Sequence, residues 1–74
     1  MDETPALNLL RLLLARLERI SADSVWAHRA SGMRGALLRM LDKLENGRPV
    51  HRSELKRLTE MGFYILEQSA KEKF

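Results

Sequence analysis

Residues 26–41 read WAHRASGMRGALLRML, and the fold turns on whether this stretch is one helix. Trp26, Ala30, Met33, Leu37, Met40 and Leu44 recur at spacings of four, three, four, three and four, with Leu41 beside them. That period predicts an amphipathic α-helix. Gly32 and Gly35 lie inside it. A glycine in a helix interior costs about 1 kcal/mol against alanine, so two of them ask for a reason. On a helical wheel Ala27, Ser31 and Gly35 form one line, and Gly32 and Ala36 form a second beside it. Both glycines lie nearly opposite the Trp26–Leu37–Leu44 stripe. Rows of small residues let another backbone approach closely. Ala27, Ser31, Gly32 and Gly35 are therefore read as a contact face for a second chain. The alternatives are a bend or break at SGMRG, which would make four helices, and incidental tolerance.

Working outward, Asn46-Gly47 marks the end of this helix, because glycine adopts the left-handed conformation that stops helices. Residues 48–52 then form a loop. Ser53 is the expected cap of a third helix, with Glu54 in its first turn and Leu55, Leu58, Met61, Ile65 and Leu66 on its stripe. Gly62 and Ser69 lie on the same stripe, and Lys71 and Lys73 suit its C-terminal dipole. Upstream, Ser21 or Asp23 is the expected cap of the second helix. A first helix begins at Thr4-Pro5, a cap followed by a proline that needs no N–H partner there. Its stripe is Ala6, Leu10, Leu13, Leu17 and Ile20. The prediction is an all-α chain with helices over about 5–20, 23–46 and 53–71. A turn of about two residues makes the first two antiparallel, and the third folds back as a small three-helix bundle. No repeat or strand pattern is present, so residues 1–74 read as one helical domain.

Leu7, Leu9, Leu12 and Leu14 widen the first helix's apolar arc past half its circumference. A bundle helix needs an arc of little more than a quarter turn. Two neighbours within the chain could share it; the sharper expectation is that Leu9, Leu12 and Leu14 enter a homodimer interface. A chain of 74 residues buries only about 60% of its unfolded surface, and such chains commonly add disulfides, metals or a second copy. With no cysteine, disulfides are excluded and a cytoplasmic, reducing setting is expected.

The chemistry that the sequence offers is thin. His28 and His51 are its two histidines, and neither is paired at metal-ligand spacing. Ser24, His28 and Asp23 could approach one another, but serine at a helix start is explained by backbone capping. Asp42 and Glu45 sit on a face with lysine and arginine, as solvated surfaces do. The glycines do not follow a strand in a phosphate-loop pattern. No enzyme, cofactor or metal is expected. No stretch approaches the roughly 20 apolar residues of a membrane span, and Asp2 and Glu3 are unlike a secretory start. The net charge of +3 permits nucleic acid. Arg48, His51, Arg52, Lys56 and Arg57 cluster around the loop and the third helix's start. The expected function is a homodimeric protein–protein interaction or adaptor module, with an unidentified protein partner. The alternative is a nucleic-acid binder acting through Arg48, Arg52, Lys56 and Arg57.

Overall fold

Leu10, Leu13 and Leu17, spaced three and four apart, are with Leu37 the deepest large side chains among the described residues, at 0–1% exposure. A computed structural model describes residues 4–72; Asp2, Glu3 and Lys73 lie outside them, as does the side chain of Thr4. Three helices form: α1 (Thr4–Glu18), α2 (Ala27–Glu45) and α3 (Arg52–Ala70). Each packs on both others, along a body extending 44 × 17 × 15 Å. The amide of Val25 donates to Glu72 Oε1 at 3.1 Å. That bond brings the end of α3 to the connector where α1 stops and α2 starts. So α1 and α3 run in one direction and α2 runs against both: a small all-α three-helix bundle.

The core joins the expected stripes: Leu10, Leu13 and Leu17 of α1; Ala30, Leu37, Met40, Leu41 and Leu44 of α2; Leu58 and Ile65 of α3. Met61, expected among them, is exposed. It adjoins Gly62, and one residue turns a helix by roughly 100°. The end of α2 follows the expectation closely. Gly47 has φ +67°, its amide donates to Leu44 O at 3.2 Å, and the Arg48 amide donates to Lys43 O at 2.8 Å. This nested pair is the Schellman arrangement that satisfies a helix's last carbonyls.

Several boundaries differ from the sequence reading. The connector between α1 and α2 is the eight residues 19–26, not a turn of about two. Ser21 and Asp23 do not cap α2. Trp26 stands at its N-cap with no side-chain cap bond. Ser21 Oγ instead accepts the Asp23 amide at 3.2 Å, and Ser24 Oγ accepts the Trp26 amide at 3.0 Å. A hydroxyl that binds an amide two residues ahead makes a turn and competes with helix. These serines therefore fold the chain back before α2 begins. At the other loop, His51 rather than Ser53 occupies the N-cap of α3.

The glycines also sort differently. The helix α2 runs unbroken through Gly32 and Gly35, so SGMRG is not a connection. A Cβ at Gly32 would meet nothing within 4 Å, and one at Gly35 only an arginine nitrogen of Arg39 at 3.7 Å. The glycine of close approach is Gly62. A Cβ there would stand 2.6 Å from Leu13 Cδ2, 3.0 Å from Cγ and 3.1 Å from Cδ1. Leu13 is 1% exposed, so it cannot move aside without disturbing the core.

These two environments predict opposite signs for one substitution. Gly62→Ala overpacks the α1–α3 seam and destabilises by about 1–2 kcal/mol, lowering Tm by several degrees in a domain of this size. Gly32→Ala adds a methyl in open space and stabilises by up to about 1 kcal/mol. Thermal melts followed by circular dichroism compare them. A Gly62→Ala protein melting at or above the wild type contradicts the tight seam.

Candidate functional site

The contact of Leu13 with Gly62 brings α1 close to the backbone of α3, and the residues beside that seam turn outward. Leu12 and Arg16 of α1 and Phe63, Leu66 and Glu67 of α3 line a groove with Leu13 at its base. Leu12 is 50% exposed, Phe63 46% and, one turn before Leu13 on α1, Leu9 37%. Single exposed apolar residues are ordinary. A strip drawn from two helices marks an interface more often. Arg16 and Glu67 supply opposite charges to the groove's two walls. Glu67 is held by Lys71 at 3.2 Å, an exposed pair of small energetic weight.

Leu9 and Leu12 are thus uncovered within the chain, but Leu14 does not join them. It is half-buried and packs on the core. Two residues on a helix differ by roughly 200°, so Leu12 and Leu14 cannot share a face. Phe63 takes the place expected of Leu14 in the strip. In the sequence Phe63 falls off the main stripe of the third helix, and nothing local says which helix approaches its neighbour Gly62. The small-residue face of α2 is open: Ser31 and Gly32 are exposed, and Ala27 and Gly35 half-buried.

Phe63 and Tyr64 are both half-exposed, but they serve different seams. Tyr64 meets Trp26 edge to face, with centroids 5.8 Å apart and planes at 82°. The Arg29 guanidinium stands 5.3 Å from the centre of the Trp26 ring. This stack ties the connector to α3, and the sequence reading did not anticipate it.

Arg48, His51, Arg52, Lys56 and Arg57 are all exposed at the α2–α3 loop. His51, Ser53, Glu54 and Arg57 line a shallow depression there, and Lys56 stands 3.9 Å from Glu60. Ser24 is buried, with its hydroxyl engaged in the turn, whereas His28 and Asp23 are exposed. A serine held in this way is positioned for structure. Among the described residues no group of three His, Cys, Asp or Glu could hold a metal ion. No helix among them is long and apolar enough to cross a membrane. No protein-family model, curated protein or solved structure matches the chain.

Removing the ring of Tyr64 tests the connector's anchorage. Tyr64→Ala costs about 0.5–1.5 kcal/mol beyond the area lost and moves the Trp26 fluorescence to longer wavelength as solvent reaches the indole. Unchanged emission in the folded variant would contradict the stack.

Proposed function

We propose that this chain is a self-associating helical interaction module whose α1–α3 groove is covered by the same groove of a second copy. The observation that supports this is the groove's self-complementary pattern. Its floor and rims are apolar through Leu9, Leu12, Leu13, Phe63 and Leu66, with Arg16 on one wall and Glu67 on the other. Because α1 and α3 run in the same direction, a half-turn about an axis along the groove lays α1 over the partner's α3 without changing height. Leu12 then meets Phe63 of the other copy, and Arg16 meets its Glu67, twice over. A two-fold interface requires this kind of patch, with both halves of each contact on one surface. Complementary charges at the rim set its register.

A chain this small gains more from a partner than a large one does, since its own core is limited by size. Pairing in this register leaves the outer face of α2, with Ala27, Ser31, Gly32 and Gly35, open to solvent. It involves no catalytic step and no cofactor. A cytoplasmic setting suits a chain without cysteine, which needs no oxidising compartment to fold.

Sedimentation or light scattering over a concentration series tests the pairing. The wild type is expected to move from 8.6 kDa toward twice that mass. Leu12→Glu buries an unpaired charge in the pairing and weakens it by at least about 100-fold, or ~3 kcal/mol. The register is tested by charge exchange. Arg16→Glu alone and Glu67→Arg alone each place like charges together and are monomeric, while a one-to-one mixture restores both pairs and dimerises. A wild type that stays monomeric throughout, or a mixture that does not associate, ends the proposal.

A further inference from the structure

We infer that Asn46–Gly47 is a self-modification site that the fold holds shut: the Asn46 side chain deamidates through a cyclic imide only when the closure at the end of α2 opens. Asn8 and Asn46 are the chain's two asparagines, and only Asn46 precedes a glycine. The reaction needs no partner but water. The Gly47 backbone nitrogen gives up its proton and attacks Asn46 Cγ. A C–N bond forms, the Cγ–Nδ2 bond breaks, and ammonia leaves carrying that proton. Water then opens the ring at either carbonyl. One cleavage restores the backbone with aspartate at position 46. The other leaves isoaspartate, whose main chain runs through Cβ and Cγ. Gly47 has no Cβ to crowd its nitrogen, so this pair is the most reactive that the chain offers.

Both residues are exposed, so burial does not protect them. Geometry does, in three ways. Ring closure requires the Gly47 nitrogen to eclipse Asn46 Cβ about the Cα–C bond. At ψ 11° that nitrogen nearly eclipses the Asn46 nitrogen instead, one tetrahedral position away. The proton that the nucleophile must lose is engaged, because the Gly47 amide donates to Leu44 O at 3.2 Å. The leaving group is engaged as well: Asn46 Nδ2 donates to Asp42 O at 2.7 Å and to Asp42 Oδ1 at 3.1 Å. Turning ψ toward ring closure carries the Gly47 and Arg48 amides away from Leu44 O and Lys43 O. The Schellman pair therefore has to break first.

The product does not close again as the parent did. Either form has a carboxylate where an amide had donated to two oxygens of Asp42, and acceptors now face acceptors. The new charge stands four residues after Asp42, a like-charge spacing that destabilises a helix. It also sits at the helix end whose dipole disfavours anions. Pairing with exposed Lys43 or Arg48 offsets little of this. Isoaspartate further adds a carbon to the main chain before Gly47, which shifts that amide out of register with Leu44 O. A transient opening is thereby recorded as a lasting loss of the stop between α2 and α3.

Ageing the full chain at neutral pH, in native buffer and in guanidinium chloride, tests the assignment. Ion exchange reads the negative charge gained, and peptide mapping by mass spectrometry places it. Conversion at residue 46 is expected to run at least about tenfold slower in the native protein than in denaturant, as for a site that reacts only on local opening. Hydrogen exchange at the Arg48 amide is expected to show protection of the same order. Arg48→Pro removes the amide that binds Lys43 O and leaves the Asn46–Gly47 bond intact; the folded variant is expected to deamidate several-fold faster than the wild type. Should it not fold, Asp42→Ala, which takes one acceptor from Asn46 Nδ2, is expected to shift the rate in the same direction. Asn46→Gln is expected to gain no charge, and Asn46→Asp to melt a few degrees lower. Equal native and denatured rates, a folded loop variant ageing no faster than the wild type, charge gained as fast by Asn46→Gln, or Asn46→Asp melting at or above the wild type would each overturn the inference.

Discussion

The structure depends on one missing side chain. Gly62 lets Leu13 rest against the backbone of α3, closer than any other residue type would allow. That approach seals Leu10, Leu13 and Leu17 at 0–1% exposure. Burying each leucine contributes about 1.5–3 kcal/mol, a large share of what a chain this short can muster. The same approach turns Leu12 and Phe63 outward on either side of the seam. The groove is therefore a geometric consequence of the core's tightest contact, and core and groove cannot be altered independently along that line.

Charge contributes little to holding the helices. The pair of Arg11 and Glu45 at 3.2 Å bridges α1 and α2 with both side chains about half exposed. The pairs along α3 and its C-cap, Lys56 with Glu60 and Lys71 with Glu67, are more exposed still. Such pairs are worth roughly 0–1 kcal/mol. Packing holds the bundle, supported by local backbone closures such as the Schellman motif at Gly47 and the serine turns at Ser21 and Ser24. Surface charge is thus free to serve association without cost to the fold.

Much of the fold was legible in the sequence because helices are local objects. The four-and-three spacing of leucines and methionines identifies a buried stripe wherever the chain is helical, and Asn46-Gly47 ends α2 by a backbone preference that needs no distant partner. The exposure of Leu9 and Leu12 was legible too, from an arc wider than one neighbour can cover. The candidate site was legible only in part. Leu14 was grouped with them through the breadth of the apolar arc, although helical geometry alone already sets it roughly 160° from Leu12. Phe63 stood at the seam unassigned, because its neighbour Gly62 gave no hint of which helix would approach it.

What the sequence by itself determined is the set of residues that share a helical face and the points where a helix must stop, since both follow from repeats and conformational limits acting over a few residues. What only the tertiary structure decided is which face meets which neighbour. Gly32, Gly35 and Gly62 are the same residue type in similar helical settings, yet Leu13 approaches just one of them. Ser21 and Ser24 could equally cap a helix or make turns. The turns prevail here alongside a Val25 amide bound to Glu72 and a Trp26 ring packed on Tyr64, contacts made by the far end of the chain. Local preference leaves such choices nearly balanced, and packing between distant segments tips them.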